Sequence, residues 1–385
     1  MRHATKTGIM ICGHGSRAKS AEEEFALLAR GLRARYPDLP VEYGFLEYSA
    51  PNIHMGLDRL RNAGVDEIVA VPGMLFAATH AKNDIPSVLT TYGEKYPGLT
   101  VRYGRELGLH PQMIAAFEAR ILEALGVTHV HDGDLYDTML VVVGRGTSDT
   151  LANAEAARLT RIVTENLGFG WSETVYSGVT YPSVGRGLEM ALKLGYKKIV
   201  VAPYFLFSGR LIDRIYKYVD RVAESAPDVT FLKTHYLADQ DHVLDTFYAR
   251  IEEAQAGSIS DEADLMASFK DRLAKGEVDV HHHHAEFRDP LDDEAGGGHD
   301  HDHDHDHDQD HDHSHDHSHE HGHHHHHHHH HGHNHGVYKH IAHPNGPRTM
   351  IDQGVCCCFM SQFPQEVIDE ERELRGETPG ADSRA

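Results

Sequence analysis

Short apolar runs alternate along this chain with longer stretches whose apolar residues recur every three or four positions. The runs at 8–12, 41–46, 67–72 and 99–103 read as strands, and the stretches near 20–35, 52–63, 84–92 and 111–125 as helices. Strands alternating with helices of this length predict βαβ units and a parallel sheet covered on both faces. Right-handed crossovers then put every strand's C-terminal end on one edge. The scheme runs a second time, with strands at 138–143, 173–178, 197–202 and 229–234 and helices near 151–167, 184–194, 211–225 and 241–254.

The second run is a copy of the first. His14 and Arg145 lie 131 positions apart, and Pro51 with Pro182, Gly56 with Gly187, Gly64 with Gly195, Ile68 with Ile199 and Pro72 with Pro203 keep that offset. The predicted fold class is therefore α/β, with two homologous lobes, residues 1–130 and 131–256, each a parallel sheet flanked by helices. A cleft between facing lobes is the expected binding place.

After residue 256 the pattern fades. Residues 258–276 have room for one short amphipathic helix, and the span 257–336 becomes a linker leading into a His/Asp tract at 300–335. With almost no apolar residues, that tract is predicted to be disordered. The last segment, 337–385, regains apolar residues and prolines around Cys356, Cys357 and Cys358.

Composition narrows the function classes. The 385 residues carry a formal net charge of −23, which argues against nucleic acid and against an anionic membrane surface as partners. Much of that charge sits in the His/Asp tract. No apolar run approaches the roughly 20 residues that span a bilayer, and residues 1–6 lack an apolar signal core. A soluble, cytoplasmic protein is expected. The cysteines agree: Cys12 lies in an apolar strand and the other three are contiguous, so they form no secreted disulfide framework.

Candidate chemistry gathers at the strand ends. His14, Glu47 and His80 each follow a strand of the first lobe, on the edge where ligands bind in open α/β sheets. Each alone reads as an ordinary polar residue at a strand end. Together, two imidazoles and a carboxylate suit a borderline divalent ion such as cobalt, nickel, iron or zinc, with positions left open for a substrate. In the second lobe Arg145 stands for His14, and Leu211, beside Arg210, stands for His80. Guanidinium groups recognise carboxylates bidentately, so Arg145 and Arg210, with Arg17, Lys82 and Arg214, are candidates to line a cationic cleft.

These residues carry a family resemblance. Cys12-Gly13-His14-Gly15-Ser16-Arg17, Phe45-Leu46-Glu47, Val71-Pro72-Gly73-Met74-Leu75-Phe76, His80 and Asp84-Ile85-Pro86 resemble the sirohydrochlorin chelatases. The duplicated length is similar to the long, cobalt-inserting form of the anaerobic-type cobalamin pathway. The resemblance covers residues 7–253. It implies a chelatase-like fold and an ATP-independent insertion of Co(II), the substrate metal, into sirohydrochlorin, a carboxylate-rich tetrapyrrole. It further implies that His14 and His80 serve metal binding and proton removal, with Glu47 at the acidic position near the metal. Leu75, Phe76, Ala77, Ala78, Thr79 and His80 match the tetrapyrrole-contacting loop.

Insertion requires two pyrrole N–H protons to leave, and a neutral imidazole accepts protons near neutrality. His14 is the expected principal base. Iron or nickel on the same tetrapyrrole is the alternative, since imidazole–carboxylate ligation does not separate these ions. A His-rich metallochaperone or metal store is the alternative of another class, although such a protein needs no duplicated α/β cleft.

The tails add two expectations. The run His323 to His331 sits inside a longer His/Asp stretch far from either terminus, which argues against an expression tag. The tract should bind divalent ions in the general affinity order. Some long cobaltochelatases carry a C-terminal cysteine motif that binds an iron–sulfur cluster, which makes Cys356, Cys357 and Cys358 candidate ligands here. The spaced Cys-x-x-Cys is absent, and clusters commonly take four thiolates, so another metal or thiol role and an inert segment stay open. So does the oligomeric state, a homodimer included.

Overall fold

The computed structural model describes residues 6–280 apart from positions 17, 179 and 279. Arg17, the His/Asp tract and Cys356, Cys357 and Cys358 lie outside the described residues. The first lobe runs β1 (Thr7–Gly13), α1 (Lys19–Arg35), β2 (Val41–Phe45), α2 (Ile53–Asn62), β3 (Glu67–Pro72), α3 (Ile85–Lys95), β4 (Thr100–Tyr103) and α4 (Pro111–Leu125). The second runs β5 (Thr138–Gly144), α5 (Thr150–Leu167), β6 (Trp171–Tyr176), α6 (Val184–Lys193), β7 (Lys198–Pro203), α7 (Arg210–Ser225), β8 (Thr230–Lys233) and α8 (Asp241–Ala256). A further helix, α9 (Leu265–Ala274), follows.

Both sheets are wholly parallel, with the orders β2-β1-β3-β4 and β6-β5-β7-β8. The expected α/β duplication is therefore present, strand for strand. Side-chain alternation along the central strands explains the layering. In β1, Ile9 and Ile11 point into a core shared by the two lobes, while Met10 and Cys12 point toward α2 and α3. In β5, Leu140 and Val142 join the shared core, while Met139, Val141 and Val143 face α6 and α7. Strands buried on both faces read as continuous apolar runs, which is why they stood out in the sequence.

The shared core shows a feature the duplication did not suggest. The last helix of each lobe packs on the other lobe's sheet: α4 meets β7 and β8, and α8 meets β3 and β4. Phe117 of α4 and Phe247 of α8 are fully buried there. Polar ties follow the same crossing: Arg120 Nη2 donates to Leu237 O (3.0 Å) and Arg250 Nη2 to Leu107 O (2.9 Å). The described residues accordingly fall within one compact unit.

The helix expected within 258–276 is α9. Its buried Leu265 joins the outer core of the first lobe, and Asp264 caps it by accepting from the Ala267 N–H (2.8 Å). Among the described residues no helix is long and apolar enough to cross a membrane. Cys12 is buried and free, and burial pushes its thiol pKa up, so it packs as a small hydrophobe.

Candidate active site

The loop after β1 places His14 at the C-terminal edge of the first sheet. It is pinned by continuing the parallel ladder, since Leu46 N donates to Gly13 O and Glu47 N to His14 O, both at 2.9 Å. Gly15 has φ +94°, and a Cβ there would lie 1.7 Å from Glu47 O. Only glycine lets the two loops lie this close. Ser49 locks them together: its hydroxyl donates to Ser16 O (2.9 Å) and accepts from Ser16 N (3.0 Å). The second lobe repeats the clasp, with Thr180 Oγ1 donating to Thr147 O (2.9 Å).

His80 arrives differently from the expected loop. It is the first residue of a π-helical turn, His80–Asp84, that runs directly into α3. Pro86 accounts for the wide turn: lacking an N–H, it leaves Lys82 O without its helical partner. Ile85 N reaches back to His80 O, and the carbonyls so freed are taken by side chains. Tyr103 Oη donates to Ala81 O (3.0 Å), and Arg272 Nη2 of α9 to Lys82 O (2.8 Å). Such π turns are frequent at functional sites.

The two histidine rings meet edge to face, with centroids 4.5 Å apart. Their hydrogen bonds set their tautomers. His80 Nδ1 lies 2.5 Å from Oδ2 of the buried Asp84, and an ionised carboxylate only accepts, so Nδ1 carries the proton. His14 Nδ1 likewise donates to Gly15 O (3.1 Å). In both rings Nδ1 is the nitrogen engaged, so Nε2 is the one these bonds leave over. Burial, with help from His80 and Arg145, lowers the His14 pKa to about 3, against the smaller opposing effects of Gly15 O and Asp84. His14 is a neutral imidazole at any ordinary pH.

Arg145 sits at the His14-equivalent loop of the second lobe and reaches the same place, since its charge acts on His14 while Glu47 and Tyr48 act on it. Its side chain is exposed, yet surrounding protein lowers its pKa. The counterpart of Glu47 is Gly178, where a Cβ would lie 2.4 Å from Arg145 O. The duplicated loops have thus diverged as a pair, His14 with Glu47 in one lobe and Arg145 with glycine in the other.

The remaining expected residues divide. Leu75 and Phe76 pack against the shared core, with the Phe76 ring 5.5 Å from that of Tyr204, and Ala77 packs against the outer core of the first lobe. Ala78 O accepts from Lys82 N (2.9 Å), and Thr79 immediately precedes the π turn without a capping side-chain bond. Arg210 is exposed at the first position of α7. Two other cations proposed for the cleft are engaged elsewhere: Lys82 pairs with Asp149 of the second lobe, and Arg214 donates to Ser177 O. Among the described residues no three His, Cys, Asp or Glu side chains stand together as a metal site. His14 and His80 meet as a pair, and Glu47 adjoins them through its backbone bond to His14.

Sequence reasoning gave no role to two residues. Asp84 orients His80, and its four-residue spacing from His80 was the available signal. Tyr48, whose ring lies 6.4 Å from that of His14, gave no signal because it rests on a backbone conformation unusual for tyrosine.

The sequence and the fold are similar to those of known proteins. A family model described as CbiX matches residues 8–124 and again 139–254. A sirohydrochlorin cobaltochelatase of Priestia megaterium is 33% identical over 252 residues, 65% of this chain and 81% of that protein. A sirohydrochlorin ferrochelatase of the same organism is 30% identical over 240 residues, 61% of this chain and 86% of the relative. Among solved structures, SirB from Bacillus subtilis with Fe3+ aligns with a TM-score of 0.58 at 27% identity, over 66% of this chain and 97% of that one. With both repeats matched and both sheets in the same order, the chain belongs to the CbiX family as a two-lobed member.

Proposed function

We propose that this protein is an ATP-independent chelatase that inserts Co(II) into sirohydrochlorin. The observation that carries this reading is the His14–His80 pair, two imidazoles edge to face at 4.5 Å between centroids, each with Nδ1 engaged by an oxygen acceptor. A cation and two leaving protons need such groups together. His14 is the principal base and first metal contact. His80, oriented by Asp84, holds the arriving ion with Glu47, and the tetrapyrrole nitrogens complete its coordination.

Substrate carboxylates are met by Arg145 and Arg210, with Arg17 a further candidate, and the macrocycle rests on the segment Leu75, Phe76, Ala77, Ala78, Thr79 and His80. No step calls for a nucleotide. Support for cobalt comes from the 33% identical cobaltochelatase, and the 30% identical ferrochelatase supports iron as the second reading. The ligand types do not decide between them. Metal insertion into sirohydrochlorin, followed by absorbance with Co, Ni and Fe side by side, tests the reading. Fastest turnover with cobalt is expected, fastest turnover with iron favours the second reading, and turnover with none overturns the enzyme.

The His/Asp tract supplies metal and takes no part in the chemistry, because catalysis needs fixed geometry that such composition does not encode. Deleting residues 299–335 should lower the number of ions bound per chain and leave turnover at saturating cobalt unchanged, measured by metal analysis and initial rates. Complete loss of turnover would contradict this role. Cys356, Cys357 and Cys358 are proposed iron–sulfur ligands, and a brown, iron-containing anaerobic preparation is the expected sign.

A further inference from the structure

We propose that Tyr48 is a substrate-contacting platform, an aromatic face against which the flat macrocycle lies beside His14. The inference rests on the proposed tetrapyrrole substrate. It starts from the backbone. Tyr48 has φ +62°, in the left-handed region that glycine and asparagine enter easily and a tyrosine does not. Such a conformation persists only where the surroundings impose it, and here they do. Glu47 N is bonded to His14 O, Ser49 N donates to Glu47 O (2.7 Å), and the buried Ser49 hydroxyl is bonded twice to Ser16. Tyr48 is the apex of a tight turn clamped on both sides.

The clamp belongs to the fold, since Thr180 and Thr147 repeat it in the second lobe, but the ring does not. The position matching Tyr48 is Val179. A turn that needed only its shape would be better served by glycine. Instead the apex carries a large aromatic side chain that stays 46% exposed. Its ring plane lies within 22° of the His14 imidazole, and its charge environment includes Arg145. A strained backbone therefore holds an aromatic face in water, nearly parallel to the base and near the guanidinium. A flat conjugated ligand is the chemistry such a face recognises, through offset stacking.

The deciding variant is Tyr48→Gly, which removes the ring and also the backbone conflict, so the fold is not put at risk. Its Tm should equal or exceed that of the parent protein. Its Kd for sirohydrochlorin, from absorbance titration without metal, should rise about tenfold or more, the range of aromatic stacking contacts, and KM should rise further than kcat falls. Tyr48→Phe keeps the ring and should recover most of the lost affinity. Unchanged Kd and KM in Tyr48→Gly would overturn the proposal, as would a lowered Tm with unchanged Kd, which would make Tyr48 structural. A parent protein that fails to bind sirohydrochlorin overturns the substrate reading and the platform together. A parent that binds while Tyr48→Gly binds equally well overturns the platform alone.

Discussion

His14 combines three local effects that separately mean little. A glycine on its C-terminal side lets Glu47 O approach, its own Nδ1 is occupied by Gly15 O, and burial beside His80 and Arg145 keeps the ring neutral. The result is an imidazole whose one available nitrogen stays unprotonated. Replacing it with alanine should lower metal insertion by about 10²-fold or more, the range of a positioned general base. Sirohydrochlorin binding should change little, because other residues grip the macrocycle. Initial rates and an absorbance titration check both halves, and retained insertion would remove His14 from the mechanism. Asp84 works one step further out, fixing which nitrogen of His80 faces the site.

At the scale of elements, the π-helical turn is what aims His80, and α9 is what holds that turn. Arg272 is buried on α9 and donates to both Lys82 O (2.8 Å) and Asn83 Oδ1 (2.5 Å). Without it, the buried Asn83 Oδ1 loses this donor, as does a part-buried carbonyl that Pro86 has already deprived of its helical partner. Arg272→Ala should therefore cost about 1–3 kcal/mol, the penalty of an unmet buried polar group. Urea unfolding measures this, and a loss below about 0.5 kcal/mol would mean that water replaces the guanidinium. The segment after residue 256 is thus more than a linker, since its helix braces the element that carries a candidate ligand.

For the whole molecule, the exchange of α4 and α8 makes two sequence repeats into one folding unit. The predicted lobe limits, 1–130 and 131–256, follow the duplication and cut across this packing. Polar contacts join the repeats elsewhere as well: Tyr236 Oη donates to Glu24 Oε1 (2.5 Å), and Glu24 Oε2 accepts from Ser208 N (2.7 Å). Burial, and then the Glu24 carboxylate, push the Tyr236 pKa up to about 12 from an ordinary 10. A phenol raised in this way contributes stability that is present below pH 10 and lost as pH climbs toward 12. Tyr236→Phe should accordingly flatten the fall in Tm between pH 10 and 12, followed by circular dichroism. An unchanged slope would show that Glu24 and Tyr236 are uncoupled in solution.

Several features were readable without coordinates because they depend on local pattern. Central strands buried on both faces leave apolar runs, and amphipathic helices leave a three-to-four periodicity. A duplicated fold leaves a constant offset of 131 that also marks His14 against Arg145. The convergence of His14 and His80 followed from topology, since parallel strands deliver their ends to one edge. What tertiary structure alone decided is which partner each side chain meets. Lys82 pairs with Asp149, Asp84 sets the His80 tautomer, and Tyr48 stands beside His14 on a conformation that its neighbours impose. The crossing of α4 and α8 is of the same kind. Periodicity says which face of an element is apolar, and it is silent on which sheet that face will cover, because any apolar surface of the right shape satisfies it.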